Sequence, residues 1–412
     1  MIEFEQEALH RQKSMVSIKV IGVGGAGGNA VNSIIESGCQ GIGFVVANTD
    51  AQALEFSKAQ HKIQIGVKST KGLGAGANPE MGKRAAEEDL DKVMDAISGA
   101  DIVFIVGGMG GGTGSGGLPV VARALRDKGI LVIAIVTRPF LFEGKRRAAV
   151  ADAAIEKLKQ DVDTLIVIPN QKLLEVVDQQ VSMIDAFAMI NEGVLSQSVR
   201  GLSDIITRPG HINVDYADIR TIMKDRGLAV MGTGKASGKG RARQAALQAI
   251  SSPLLENMSV VGAHGVLCNI TGGKGLGLHE ISEAASVVYE QAHEDANIII
   301  GSVIDDSLQD EVIVTIIATD FERPAVVEEE IFVQPIVQQE EVVIMAAPVQ
   351  EVEPVAQPLP LMTEMELEEE LVFEAEDAHA QENDFFEKPS TFNCAVDSKD
   401  LDIPAFMRQK NE

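Results

Sequence analysis

From Gly107 to Gly117 the chain reads Gly-Gly-Met-Gly-Gly-Gly-Thr-Gly-Ser-Gly-Gly, eight glycines in one short run. The apolar stretch Ile102-Val103-Phe104-Ile105-Val106 leads into it, and a helix-like run from Leu118 to Arg126 leads out. A flexible linker is seldom flanked so tightly by a core strand and a helix. Glycine permits positive φ and close approach to the backbone. Freed N–H groups and the N-terminus of the following helix then favour anionic oxygens. Thr113 and Ser115 add hydroxyls. The run therefore predicts a phosphate cradle inside an α/β layer.

The rest of the chain agrees with that class. Ser17–Val23 reads as a first strand running into Gly24-Gly25-Ala26-Gly27-Gly28-Asn29, with a helix from Ala30 to about Ser37. Further strands are expected over 43–47, 102–106, 130–136 and 164–168, and helices over 79–97 and 146–160. Strands alternating with helices imply a parallel sheet covered on both faces. Ligands in such sheets bind at the carboxyl ends of the strands. A long helix is expected from about Ser182 to Ile206, where Ile184, Phe187, Ile190 and Val194 keep helical spacing. A second α/β block follows, with helices over 241–250 and 278–292 and strands over 266–271, 298–303 and 311–318. The expected division is an N-terminal tail (1–14), a Rossmann-like parallel-sheet domain (15–181), a central helix (182–207), a loop and helix start (208–224), a second α/β domain (225–320), an acidic disordered linker (321–395) and a docking peptide (396–412).

Charge supports the tail assignment. The net charge is −26, and residues 321–412 hold 23 acidic and 5 basic side chains, a net of −18. An acidic tail on a nearly balanced body argues against general nucleic-acid binding, which needs clustered Lys and Arg. Lys235, Lys239, Arg241 and Arg243 form one small basic cluster, read as a solvated loop and helix start. Cys39, Cys268 and Cys394 are too few and too scattered for a disulfide framework, which fits a reducing cytoplasm. Met1 to Lys13 is polar and charged, unlike a secretory signal. No apolar run approaches the roughly 20 residues that span a membrane, so no direct membrane insertion is expected. Leu401-Asp402-Ile403-Pro404-Ala405-Phe406-Met407-Arg408 places apolar anchors beside charges, the composition of a docking peptide.

Two readings compete for the first glycine loop. Gly22, Gly24 and Gly27 satisfy G-x-G-x-x-G, and Asp50 lies where a dinucleotide fold places its ribose acid. A nicotinamide-dependent oxidoreductase is thus a rival, but one such fingerprint has no use for a second phosphate cradle. No G-x-x-x-x-G-K-[ST] loop and no H-E-x-x-H pattern is present.

Gly110-Gly111-Gly112-Thr113-Gly114-Ser115-Gly116 resembles the signature of the tubulin/FtsZ superfamily of GTPases, and the resemblance extends over about residues 15 to 320 and the last dozen. It implies GTP and GDP as ligands, with Mg²⁺ held through the nucleotide phosphates and no assigned protein ligand. It implies that Gly25, Ala26, Gly27, Gly28 and Asn29 line the nucleotide, with Asn48 and Asp50 nearby. Gly74, Ala75 and Gly76 would belong to the loop closing over the γ-phosphate. Gly110, Gly111, Gly112, Thr113 and Gly114 would cradle phosphates, and Glu143 and Arg147 would contact the ribose and nucleotide. Phe187 would stack on the base and Asn191 would read it. Without the family, Phe187 reads as a helix residue facing the core. The stretch from Phe187 to Leu195 is about one residue longer than the family pattern, so Asn191 and Glu192 both stay open for the base contact.

Asn213, Asp215 and Asp218 resemble the family's synergy loop, which reaches the γ-phosphate of the next subunit and positions the attacking water. Read alone, Asn213 or Asp215 is a helix N-cap. The resemblance further implies a head-to-tail homopolymer that forms the bacterial division ring. That ring sits at mid-cell on the inner face of the membrane, and Leu401, Asp402, Ile403, Pro404, Phe406 and Arg408 would engage its membrane tethers and regulators. A nucleotide-bound scaffold without turnover is the remaining alternative.

Overall fold

A computed structural model describes residues 16–172, 182, 195–208, 210–212, 214–252 and 262–321. Contacts divide the chain into Met1–Glu329 and Glu330–Glu412, and all described residues fall in the first unit. The expected linker from residue 322 on, the docking peptide and the first half of the central helix lie outside the described residues.

Six strands form the first sheet: β1 (Ile18–Val23), β2 (Ile42–Asn48), β3 (His61–Gln64), β4 (Ile102–Gly108), β5 (Leu131–Arg138) and β6 (Thr164–Pro169). Their order is β3-β2-β1-β4-β5-β6, every pairing parallel. The chain winds outward from β1 through β2 to β3, then restarts at β4 on the other side of β1. That reversal between β1 and β4 is a topological switch point, and a crevice opens there at the carboxyl ends. Alternation along β1 sends Ile18 and Val20 to one core and Ile21 and Val23 to the other. The sheet is therefore buried on both faces, as its continuous apolar strands require.

Helices cover the two faces. α1 (Gly24–Glu36) buries Ala30, Val31 and Ile34 in one core. α2 (Ala51–Glu55) and α3 (Val67–Thr70) are short. α4 (Pro79–Glu88), α5 (Leu90–Ile97), α6 (Thr113–Asp127) and α7 (Lys145–Asp161) cover the opposite face. The single helix expected over 79–97 is broken at Asp89. Asp89 leaves helical geometry (φ −120°, ψ 23°), and its carboxylate accepts the Gly66 N–H at 2.8 Å. A tertiary bond to a distant loop thus overrides local helix propensity.

The second sheet contains β7 (Gly210–Ile212), β8 (Gly227–Ser237), β9 (Ala263–Gly272), β10 (Asn297–Ile304) and β11 (Glu311–Phe321), in the order β8-β11-β9-β10-β7. α10 (Arg241–Ile250) and α11 (Leu278–Gln291) pack on one face. α8 (Gln197–Thr207) and α9 (Tyr216–Met223) contribute to the core shared with the first sheet.

The two sheets are joined edge to edge, a feature missing from the sequence expectation. Gly227–Ala229 of β8 pairs in parallel with Thr164–Ile166 of β6, and Val230–Ser237 then pairs antiparallel with β11. Gly232 and Gly234 break the apolar pattern of β8, so the sequence marks no strand there. Those glycines admit α10: a Cβ on Gly232 would lie 1.9 Å from Ala249 O, and one on Gly234 2.0 Å from Ala245 O.

Arg241 corrects the solvated reading of the basic cluster. It is only 7% exposed. Its guanidinium grips Glu280 at 2.8 and 3.0 Å, Asp310 Oδ1 at 2.8 Å and Gly275 O at 3.1 Å. This bidentate pair ties the start of α10 to the start of α11. Lys235 is also paired, with Glu311 at 2.8 Å.

Gly234→Ala is predicted to destabilise the fold by about 2 kcal/mol or more, because main chain cannot yield to a Cβ. Gly275→Ala, with no atom within 4 Å of the added Cβ, should stay within about 0.5 kcal/mol of the parent; urea titration of both variants checks the contrast. The Arg241 guanidinium holds the Glu280 carboxyl below its ordinary value, outweighing burial. This contribution is fully present above the ordinary carboxylate pKa of about 4.3 and is lost as pH falls through the lowered folded value. The stability gap between parent and Glu280→Gln should therefore be wide at neutral pH and narrow in acid.

Candidate functional site

The ends of β1 and β4 lie side by side, with Gly22 opposite Val106. β1 feeds its helix directly, and β4 feeds its helix through the four-residue loop 109–112. α1 begins at Gly24 and α6 at Thr113, so much of both glycine loops is the first turn of a helix rather than a loop before one. The two helices lie on opposite faces of the sheet and aim their N-termini at the same crevice. Unpaired first-turn N–H groups and two dipole ends converge there, the arrangement that binds phosphate oxygens.

The crevice is a cleft of about 470 Å³. From the β1–α1 junction it takes Val23, Gly24, Gly25, Ala26 and Asn29. From the β4–α6 junction it takes Gly108, Met109, Gly111, Gly112, Thr113 and Gly114. Thr137, Pro139, Glu143, Arg147, Asn170 and Leu195 close the far wall. A Cβ on Gly25 or Gly111 would meet nothing within 4 Å, so these backbones face open space. A larger groove of about 670 Å³ runs between α4, α6 and α7. It lies along the flanks of these helices.

Among the residues expected at the nucleotide, Gly25, Ala26, Asn29, Gly111, Gly112, Thr113, Gly114, Glu143 and Arg147 line this cleft. Others sit behind it. A Cβ on Gly27 would lie 2.6 Å from Val106 O, and one on Gly28 would lie 3.5 Å from Val46 Cγ1. Gly110 holds φ +95° and donates its N–H to Ser115 Oγ at 2.9 Å. Asn48 is buried and accepts the Asp50 N–H at 3.3 Å, while Asp50 caps α2 through Gln52 N at 2.9 Å. Gly74, Ala75 and Gly76 lie in the segment between α3 and α4, where Asn78 caps α4 through the Glu80 N–H at 3.0 Å. Glu143 accepts the Phe140 N–H at 2.9 Å and forms an ion pair with Arg147 one turn on. Phe187 and Asn191 lie outside the described residues, as do Asn213 and the tail residues Leu401 to Arg408.

Asn170 is a further cleft residue that no sequence motif marks. It directly follows β6, is 5% exposed and lines the cleft, and its Oδ1 has no hydrogen-bond partner among the described residues. A buried amide oxygen without a partner is costly unless a ligand supplies a donor. The available signal was a polar residue directly following a parallel strand.

Asp215 and Asp218 lie elsewhere. Asp215 caps α9, its carboxylate accepting the Asp218 N–H at 2.8 Å, and both side chains are exposed. α9 is anchored at the amino ends of the first sheet. The Tyr216 hydroxyl donates to Asp101 O at 3.3 Å, just before β4, and the Thr164 hydroxyl donates to Met223 O at the start of β6. The seven residues of β4 separate this anchor from the cleft, a span of ~20 Å.

Residues 17–178 match the GTPase domain of the tubulin/FtsZ family, and residues 227–322 match the C-terminal domain of the FtsZ family. An empty FtsZ dimer from M. jannaschii is 42% identical over 77% of this chain and 92% of its own, with a TM-score of 0.72. The chain belongs to the FtsZ family. Two more distant structures share the fold. A GDP-bound CetZ1 monomer from Haloferax volcanii is 24% identical, with a TM-score of 0.64, over 74% of this chain and 94% of its own. A GTPγS-bound CetZ2 protofilament from the same organism is 21% identical, with a TM-score of 0.62, over 74% and 92%. Family membership makes the cleft that of a GTPase domain and sets aside the nicotinamide reading.

Asn170→Ala should raise the dissociation constant for GDP roughly tenfold, the effect of losing one buried hydrogen bond to ligand. It should leave the melting temperature of the ligand-free chain unlowered. Unchanged affinity with a lowered melting temperature would make Asn170 a structural residue instead.

Proposed function

We propose that this chain is a GTPase whose active site is completed by head-to-tail assembly into filaments. The observation that carries the reading is the polarity of the first sheet. The phosphate cradle lies at the carboxyl ends of its strands, and Asp215 and Asp218 lie at the amino ends, ~20 Å away along β4. A carboxylate at that distance cannot act on a phosphate bound in its own chain. Stacking two copies along the strand direction brings the carboxylates of one to the cradle of the next. Such a heterologous contact does not close, so it propagates as a filament.

The chemistry follows from the groups present. Main-chain N–H groups of Gly111 to Gly114 and the Thr113 hydroxyl hold phosphate oxygens. Arg147 adds a cation, and the Asn170 amide offers polar contact to the base or ribose, together with Phe187 and Asn191. Asp215 and Asp218 of the neighbouring copy, with Asn213, accept hydrogen bonds from the attacking water and aim it in line with the leaving oxygen. Phosphoryl transfer needs this positioning and charge stabilisation more than covalent chemistry. No group of three or more His, Cys, Asp or Glu among the described residues could hold a metal. Mg²⁺ would be carried chiefly by phosphate oxygens and water, and would neutralise phosphate charge. Leu73, Leu141 and Phe142 are 87%, 73% and 66% exposed. They lie in segments that follow strand carboxyl ends, where an approaching copy would bury them.

Bound GTP would stabilise the contact by linkage, and loss of the γ-phosphate would weaken it. In the cell, such filaments would form the division ring at mid-cell. The peptide from Leu401 to Arg408 would fasten them to membrane tethers through a long acidic spacer, with avidity from many copies. No described helix is long and apolar enough to cross a membrane.

Phosphate release should show a concentration threshold shared with light scattering. Asp218→Ala should keep GTP binding and lose most turnover. Gly112→Val, which crowds the cradle, should lose binding. Mixing the two inactive variants should restore part of the activity, because one contact in the mixture pairs an intact cradle with intact carboxylates. No recovery, together with turnover strictly proportional to protein, would rule out the shared site. GTP binding without turnover by the parent would leave a nucleotide-bound scaffold.

A further inference from the structure

Thr49 sits between the cleft and the segment that follows α3. It is fully buried, and its hydroxyl lies 2.7 Å from Thr113 Oγ1. Thr113 lines the cleft. On its other side, the Thr49 carbonyl accepts the Gly74 N–H at 3.3 Å and the Thr70 hydroxyl at 3.4 Å. The neighbouring residues continue the attachment: Asp50 bridges to Leu73, and Ala51 N–H donates to Gly72 O at 3.1 Å. Residues 70–74 therefore hang from residues 49–51, and residue 49 contacts Thr113 of the cleft wall.

A hydroxyl carries one proton and two lone pairs. In the Thr49–Thr113 pair either oxygen can donate while Thr113 faces no anion. An anionic oxygen against Thr113 Oγ1 takes up the Thr113 proton as a hydrogen bond. Thr113 can then only accept from Thr49, and Thr49 must donate. The result is an ordered chain, Thr49 O–H to Thr113 O–H to phosphate oxygen, in which each bond polarises the next.

We propose that Thr49 is a positioning residue for the nucleotide. Its hydroxyl orients the Thr113 hydroxyl toward phosphate and makes the order of segment 70–76 depend on whether the cleft is filled. Thr49 touches no ligand itself. The inference rests on the nucleotide-binding reading of the cleft.

The test is hydrogen exchange of amides in residues 66–78 of the full chain, with and without GTP, alongside GTP affinity. The parent is compared with Thr49→Ser, which keeps the hydroxyl, Thr49→Val, which keeps the shape without it, and Thr49→Cys, a weak donor. GTP should slow exchange in the parent and in Thr49→Ser. In Thr49→Val the slowing should shrink, and GTP affinity fall, by roughly fivefold, the worth of one hydrogen bond. Thr49→Cys should fall between. A merely structural role would change melting temperature and leave the GTP-dependent difference intact. If Thr49→Val does not fold, the contrast between Ser and Cys decides. Equal GTP-dependent slowing in Ser, Cys and Val variants overturns the relay while leaving nucleotide binding standing. No effect of GTP on the parent, in exchange or affinity, overturns both.

Discussion

The site depends on main chains approaching one another more closely than any side chain allows. A Cβ on Gly22 would lie 2.2 Å from Gly27 O, so the end of β1 and the first turn of α1 fit only as glycine on glycine. One on Gly114 would lie 2.6 Å from Gly108 O, which draws the start of α6 back over the end of β4. Gly82 and Gly116 do the same between α4 and α6, with Cβ positions 2.1 Å from Gly112 O and 2.0 Å from Pro79 O. Much of the glycine that marks this sequence therefore packs backbone against backbone. The open N–H groups at Gly25 and Gly111 are what that packing presents to the cleft.

This interlock has a consequence for α4. Its contact with α6 is made through main chain at the start of the cradle, so α4 and the cradle share one support. The Thr49–Thr113 hydroxyl pair adds a polar link at the same place. The two glycine-rich helix starts and the segment before α4 are thus held by direct contact. Such support preorganises donors, which is the useful condition for stabilising developing charge.

A second consequence concerns direction. Parallel strands give the first sheet two unlike ends. The cradle occupies one end because helix N-termini follow parallel strands there. α9 occupies the other, pinned by Tyr216 and by the Thr164 bond to Met223. β8 then carries the chain from β6 into the second sheet without an intervening linker. The second domain is an extension of the first sheet's edge, and α9 is held against both.

Local signals in the sequence determined most of the strands and helices, though not β3, β7 or β8, together with the α/β class, the two glycine loops and an N-cap at Asn213 or Asp215. All of these rest on relations between residues a few positions apart, which periodicity and capping chemistry express directly. Asn191, Phe187 and Asn213 are legible only through family resemblance and lie outside the described residues. Tertiary structure alone decided the break at Asp89, the burial of Arg241, the pairing of β8 with two sheets and the unpartnered amide oxygen of Asn170. It also decided which glycines face a ligand and which face other main chain. The physical reason is the same in each case. These features are set by contacts between segments distant in sequence, and a chain carries no local periodic mark of what will be pressed against it.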